Sequence, residues 1–165
     1  MKSKITHYLK EIIIFFIVMT VLANAISLYK SIDLKKEQFN LTNITLLDGE
    51  KFTPKTDKPL LVHFWADWCP TCSMEASNIQ RVSQYYEVLT IAVKSGSDEN
   101  IKKYLQENNL NFKVINDKNA FIARDFNIAA YPTTFIYDKD KNLVFSEVGY
   151  TSTLGLFVRM WWAEF

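Results

Sequence analysis

The hydrophobic positions of this chain form one long apolar run near the amino terminus, followed by shorter apolar runs separated by polar segments. Several short runs have the length and the β-branched character of buried strands. Between them lie segments whose apolar residues recur at helical spacing. The predicted strands are 60–66, 88–93, 112–115, 133–137 and 143–148, and the predicted helices are 74–86, 98–108, 119–126 and 151–162.

The order of these elements predicts an α/β domain in which helices flank a mixed sheet. A short β-hairpin precedes it, since Ile44–Leu47 and Lys51–Thr53 enclose Asp48-Gly49, a strong hairpin turn signal. In the last helix we expect the apolar stripe to pack on the sheet. That stripe consists of Leu154, Phe157, Val158 and Trp161.

The long apolar run, Ile12–Tyr29, contains no charged residue and is long enough to cross a bilayer, at about 27 Å as a helix. Lys2, Lys4 and Lys10 precede it, so the positive-inside bias places the amino terminus in the cytoplasm. We expect an uncleaved signal anchor. The alternative is a signal peptide, because Ala23-Asn24-Ala25 has the small-x-small form of a cleavage site.

The sequence thus divides into a cytoplasmic terminus and transmembrane anchor at 1–30, a polar tether at 31–41, and a folded domain at 42–165. The expected location is the inner membrane, with the domain periplasmic or otherwise extracytoplasmic. That compartment permits disulfides. The formal net charge of +1 gives no polybasic surface for nucleic acid.

The two cysteines of the chain, Cys69 and Cys72, lie where the strand at 60–66 ends and a helix begins. A helix amino terminus carries partial positive charge and free N–H groups, which lower the pKa of a thiol there. Pro70 fits the first helical position, where its missing N–H costs nothing. We therefore expect Cys69 to be an exposed thiolate and Cys72, one turn along, to lie within disulfide reach.

Two segments resemble the characteristic sequence motifs of thioredoxin-fold proteins. Residues 64–72, FWADWCPTC, resemble the active-site segment, and residues 130–136, AYPTTFI, resemble the cis-proline loop. The spacing between these two segments and the hairpin before them are similar to those of the TlpA-like branch of membrane-anchored thiol–disulfide oxidoreductases. That branch includes cytochrome c maturation thioredoxins. The ending, GYTSTLGL through Trp161-Trp162, resembles the suppressor-of-copper-sensitivity type. The resemblance covers residues 42–163.

This resemblance implies that Cys69 attacks a substrate disulfide and that Cys72 resolves the product, with a Cys69–Cys72 disulfide as the oxidised state. It implies that Pro132 is a cis-proline facing the disulfide and that the backbone of Tyr131 pairs with an extended substrate. We expect Trp68 to flank the sulfur as part of the docking surface.

His63 stands where thioredoxins carry a buried acid that relays protons to the second cysteine. A histidine there could do similar work near neutral pH, and the alternative is a packed, hydrogen-bonded strand residue. Glu75, three residues past Cys72, is a second relay candidate. Pro70 and Thr71 are expected to tune Cys69 through the N–H donors aimed at its sulfur.

The expected activity is thiol–disulfide exchange without a cofactor, reducing or isomerising disulfides of exported proteins. The resemblance implies cysteine-containing exported substrates and a membrane thiol–disulfide donor that recharges the pair. The alternatives are an oxidant of exported thiols and a copper- or zinc-binding module. In the metal-binding alternative Met74 or His63 would join the cysteines, but we expect Met74 in the core and no metal.

Overall fold

The structure is a computed structural model that describes residues 2–30, Leu34, Phe39 and residues 44–165, with side chains of the first helix at 7–22 and 24–27. The predicted tether at 31–41 therefore lies almost entirely outside the described residues. From the described part we number twelve elements in chain order. They are α1 Lys2–Lys30, β1 Ile44–Thr45, β2 Lys51–Phe52, β3 Leu60–Trp65, α2 Pro70–Ser83, β4 Glu87–Val93, α3 Asp98–Glu107, β5 Lys113–Asp117, α4 Phe121–Asp125, β6 Thr133–Tyr137, β7 Leu143–Val148 and α5 Thr153–Trp162.

The five main strands form one mixed sheet in the order β5-β4-β3-β6-β7. The central strand β3 runs parallel to β4 and antiparallel to β6, with His63 opposite Thr90 on one side and Thr134 on the other. All six residues of β3 are buried, as expected for a strand covered on both faces. The predicted mixed sheet flanked by helices is confirmed.

Alternate residues of β3 feed two hydrophobic cores, because successive side chains of a strand point to opposite faces. Leu61 and Trp65 join the core built with α2, α3 and α5. Leu60, Val62 and Phe64 join the core on the other face, with α4 and the hairpin. Each such buried side chain contributes on the order of 1.5–3 kcal/mol, so the strand that leads to the cysteines is held rigidly.

The amino-terminal hairpin is confirmed as an antiparallel pair of β1 and β2. Gly49 has φ +91°, a left-handed conformation that glycine adopts without steric cost. The Leu47 N–H donates to the carbonyl of Val114 over 2.8 Å, which attaches the hairpin to β5.

The apolar helix at the amino terminus is longer than the sequence predicted. α1 runs from Lys2 to Lys30, and its membrane-length apolar segment covers His7–Ser27. The described side chains along this segment are exposed rather than packed on the domain, except that of Ser27, whose hydroxyl accepts the Val148 N–H. Length and composition therefore make α1 a candidate membrane span.

The predicted packing stripe of α5 is wrong. Leu154, Val158 and Trp161 are 74%, 53% and 53% exposed, and only Phe157 of the four is partly buried against the core. The buried positions are instead Leu156 and Met160, followed by Ala163 just past the helix. Both sets have helical spacing, so periodicity alone could not distinguish them.

Polar contacts at the amino-terminal end of α5 fix which side faces the core. The backbone N–H of Thr151 donates to the Glu75 carboxylate oxygen Oε1 over 3.1 Å. The Thr153 hydroxyl donates to Asn78 Oδ1 over 2.7 Å, and Asn78 Nδ2 donates to the Thr151 carbonyl over 3.1 Å. Both partners lie on α2, so α5 is rotated to direct Leu156 inward.

Candidate active site

The two cysteines lie at the amino terminus of α2 and are joined by a disulfide. Cys69 is the N-cap residue, in extended conformation, and its sulfur accepts the Cys72 N–H over 3.2 Å. Pro70 is the first helical residue, as the sequence predicted, and the Ser73 N–H donates to the Cys69 carbonyl over 3.1 Å. The Cys69 sulfur thus takes the place of a capping oxygen and satisfies one free N–H of the helix.

The disulfide is less exposed than we expected from the sequence. Cys69 is only 6% exposed and Cys72 only 2%, and both belong to the core beneath α2. The expectation of an exposed Cys69 is therefore wrong for the oxidised state, although Cys69 is the more accessible of the two. Any molecule that reacts with Cys69 would have to approach it closely.

Trp68 and Tyr131 form an aromatic pair beside the disulfide. Their ring centroids are 5.7 Å apart and nearly perpendicular, an arrangement that aromatic side chains favour. Trp68 is exposed, and its indole N–H donates to the Lys94 carbonyl over 3.2 Å. The Tyr131–Pro132 peptide bond is cis. The pair joins the cysteine loop, residues 66–69 between β3 and α2, to the loop before β6.

The turn after β4 also holds the cysteine loop, a contact that the sequence did not predict. The Ser95 hydroxyl accepts the backbone N–H of Asp67 over 3.1 Å and donates to the Val93 carbonyl over 3.2 Å. Ser95 is buried. The signal in the sequence was a small hydroxyl residue two positions after a buried strand, since the carboxyl ends of parallel strands meet at one edge of a sheet.

His63 is buried in β3, and its Nδ1 is hydrogen-bonded to the Thr134 hydroxyl over 2.9 Å. Burial in the apolar core lowers the pKa of His63 to about 3, because desolvation disfavours the charged imidazolium. The imidazole is therefore neutral near neutral pH. Strand alternation places it on the α2 side of the sheet, with Leu61 and Trp65.

Glu75 is fully buried, one turn after Cys72 on α2. Desolvation raises the pKa of its carboxyl to about 8; the hydrogen bond from Thr151 opposes that rise, and repulsion from Glu147 adds to it. Oε1 accepts the Thr151 N–H, whereas Oε2 has no hydrogen-bond partner among the described residues. Glu75 is therefore a buried acid that is mostly protonated at neutral pH.

The residues considered for metal binding do not converge. Within the described ranges, no three histidine, cysteine or acidic side chains lie close enough together to hold a metal ion. Met74, expected in the core, is 69% exposed. It lies on the solvent side of α2, since the buried residues of that helix are Cys72, Glu75, Asn78, Ile79 and Val82.

Comparison with known proteins finds a matching family and several related proteins. The AhpC/TSA family model matches residues 31–146. A thioredoxin-like protein of Haemophilus influenzae is 32% identical over 134 residues, covering 78% of this chain and 79% of that protein. The thiol-disulfide oxidoreductase ResA of Bacillus cereus is 26% identical over 147 residues, covering 81% and 85%.

The fold is also found among solved structures. A thiol:disulfide interchange protein of the thioredoxin family from Chlorobium tepidum superimposes with a TM-score of 0.68 at 24% identity. The match covers 81% of this chain and 99% of that one. The architecture around the disulfide is thus the thioredoxin fold.

Proposed function

Since this chain belongs to the AhpC/TSA family and is a thiol–disulfide oxidoreductase, we propose that Cys69 and Cys72 reduce or isomerise disulfides of exported proteins. The observation that carries the proposal is the N-cap position of Cys69, where the Cys72 N–H points at its sulfur. The same N–H and the dipole of α2 stabilise a thiolate after reduction, which makes Cys69 the nucleophile.

The reaction begins when the Cys69 thiolate attacks one sulfur of a substrate disulfide. A mixed disulfide forms between Cys69 and that sulfur. The other substrate sulfur leaves as a thiolate and takes a proton from solvent. Cys69 is the attacking residue because it is the more accessible of the pair and its sulfur accepts the helix N–H.

In the second step Cys72 loses its proton and its thiolate attacks the Cys69 sulfur. The Cys69–Cys72 disulfide forms, the bond to the substrate breaks, and the second substrate sulfur leaves as a thiolate. Two electrons have passed to the substrate, and the pair is left in the disulfide form that the structure holds. A membrane thiol–disulfide donor would restore two thiols for the next cycle.

We assign the proton of Cys72 to the ionised form of Glu75, which is the minority form at neutral pH, rather than to His63. Glu75 lies three residues along the same helix, so its side chain is on the side of α2 that Cys72 occupies. Its pKa of about 8 is close to that of an ordinary thiol, about 8.5, so transfer between the two costs little. The pKa of His63, about 3, is far below that value.

The substrate segment is proposed to bind along Trp68, Tyr131 and Pro132, beside the cysteine loop. The exposed Trp68 ring supplies apolar contact, and the segment before β6 offers backbone groups to an extended chain. The Pro132 carbonyl already accepts the Gly149 N–H over 2.8 Å, which leaves Tyr131 as the backbone partner. Pro70 and Thr71 would set the redox potential by placing the N–H donors near Cys69.

The proposed location is extracytoplasmic, with residues 1–30 as a cytoplasmic terminus and membrane anchor, 31–41 as tether and 42–165 as catalytic domain. The support is the apolar segment His7–Ser27, with Lys2 and Lys4 preceding it. A disulfide-permissive compartment suits the cysteine pair.

A trapping experiment tests the proposed function. Cys72→Ala leaves a nucleophile without its resolving partner, so mixed disulfides with exported proteins should accumulate at Cys69 in cells. The double variant Cys69→Ala/Cys72→Ala is the matched control and should trap nothing. Absence of reducible adducts with Cys72→Ala would overturn the proposal.

The direction of the reaction is tested by the resting state of the native pair. Alkylation of free thiols in intact cells should find Cys69 and Cys72 reduced if a membrane donor recharges them. A pair that rests as the disulfide would instead favour the alternative, an oxidant of exported thiols.

A further inference from the structure

One side of α5 and the chain end beyond it form a continuous apolar surface, which we call the α5 stripe. At about 100° per residue, its first members fall on the side of the helix opposite the buried Leu156 and Met160. Exposed apolar residues are common singly, but a contiguous group marks an interaction site. The α5 stripe consists of Leu154, Val158, Trp161, Trp162 and Phe165, each more than half exposed.

The end of the apolar segment of α1 is joined to α5 through one carboxylate. Ser27, its last residue, donates from its hydroxyl to Glu147 Oε2 over 3.2 Å and accepts the Val148 N–H over 3.0 Å. The other oxygen of Glu147 accepts from Arg159 of α5, from Nε over 2.9 Å and from Nη2 over 2.8 Å. The place where α1 would leave the bilayer is thus two side-chain contacts from α5.

We propose that the α5 stripe docks on the surface of the same bilayer that α1 crosses, with its tryptophans at the level of the lipid headgroups. This rests on the membrane location proposed above. Tryptophan prefers the membrane–water interface, where its ring is in apolar surroundings and its N–H stays hydrated. Leu154, Val158 and Phe165 supply the apolar area that such a surface helix buries among acyl chains.

The distribution of charge on α5 is suited to contact between the α5 stripe and lipid. The stripe contains no ionisable side chain, and Arg159 of the same helix is turned away from it into the pair with Glu147. Because α1 holds the domain at the bilayer, docking needs no second molecule to diffuse to it, so weak apolar contacts suffice. The contact would fix the orientation of the domain above the membrane.

Fluorescence quenching by lipid tests the proposal on the full chain. The protein is reconstituted, one chain per nanodisc, in phosphatidylcholine whose acyl chains carry bromine, which quenches nearby tryptophan. Wild type and Trp68→Phe should both be quenched, and Trp161→Phe/Trp162→Phe should lose most of the quenching. Equal quenching in the double variant would overturn the proposal, because the signal would then come from Trp65 or Trp68.

A second pair of variants tests whether the stripe itself makes the contact. Leu154→Glu/Val158→Glu should remove most of the quenching of the remaining tryptophans and shift their emission to longer wavelength. Phe121→Glu is the matched control, since Phe121 is an equally exposed apolar residue on α4, on the other face of the sheet, and it should change neither.

The outcomes separate this proposal from the proposed function. Absence of quenching in a wild-type protein that still reduces insulin disulfides would overturn bilayer docking and leave the oxidoreductase activity standing. Quenching that appears only with two chains per disc would also overturn it, because the stripe would then mediate contact between copies. Quenching at one chain per disc, lost in Leu154→Glu/Val158→Glu, is the supporting result.

Discussion

Replacing Glu75 by glutamine should remove most of the pH dependence that this residue gives to the stability of the fold. The side chain is fully buried, one oxygen accepts the Thr151 N–H, and the other has no partner among the described residues. Glutamine keeps the shape and the acceptor for Thr151 and replaces the titrating oxygen with an amide. Glu75→Gln therefore changes protonation with little change in packing.

The magnitude follows from the pKa of Glu75, which rises from its ordinary 4.5 to about 8 on folding. Between these values the unfolded chain has lost the proton and the folded chain retains it, so the stabilisation from this group is complete below about pH 4.5 and is lost as the pH rises to about 8. Each pKa unit corresponds to about 1.4 kcal/mol, so the free energy of unfolding should fall by roughly 5 kcal/mol across this window.

The assay is urea unfolding of the disulfide-bonded full chain in detergent, followed by tryptophan fluorescence from about pH 5 to about pH 8. Glu75→Gln should resemble wild type at the acidic end and become more stable than wild type by several kcal/mol at the alkaline end. Glu107→Gln, at an exposed position of α3, is the matched control and should follow wild type throughout. A difference between Glu75→Gln and wild type that does not change with pH would refute the reasoning.

Three further predictions concern the core, a helix cap and the buried histidine. Met160→Ala should cost about 2–5 kcal/mol in urea unfolding, whereas Leu154→Ala should cost less than about 0.5 kcal/mol, because only Met160 is buried; equal costs would contradict the assigned faces of α5. Asp117→Ala should cost about 1–2 kcal/mol, since both of its oxygens accept N–H groups of α4, and an unchanged unfolding midpoint would disprove that cap. The pKa of His63 falls on folding from 6.5 to about 3, so its stabilisation is present above about pH 6.5 and lost towards pH 3. In a Glu75→Gln background, the thermal unfolding midpoint of His63→Asn should therefore fall less on acidification than that of the parent protein.

The elements that the sequence predicted well are those with one dominant local signal. β6 and β7 match the predicted bounds, and α2 begins at Pro70 as its proline indicated. The hairpin at Asp48-Gly49 forms because glycine tolerates the left-handed turn. In each case the local preference and the tertiary structure agree.

The incorrect predictions of helix faces arose where two interpretations had the same periodicity. α5 has apolar residues on two sides, and its rotation is set by contacts of Thr151 and Thr153 with α2, which no local pattern contains. Helical spacing with Ile79 and Val82 predicts Met74 in the core, but its position on α2 faces solvent. Tertiary contacts, not propensity, decide such cases.

The candidate site likewise combines features that have a local sequence signal with features that tertiary contacts decide. The sequence located Cys69 and Cys72 through their spacing and the strand-to-helix junction, because that chemistry is local. The pKa values of His63 and Glu75 could not be predicted from the sequence, since they depend on how completely the fold excludes water from each side chain. The support from Ser95 was missed because it joins loops after two different strands.

The opposite pKa shifts of the two buried groups have a consequence for the chemistry at the cysteines. Near neutral pH His63 is neutral because its pKa is low, and Glu75 is mostly neutral because its pKa is high. Neither side chain then places a full charge in the core beneath the sulfurs, so the proposed Cys69 thiolate would depend on the N–H groups and the dipole of α2. In the proposed second step, a permanently charged carboxylate beside Cys72 would hold that thiol protonated, whereas the ionised minority of a carboxyl group with a pKa of about 8 is a base strong enough to take its proton.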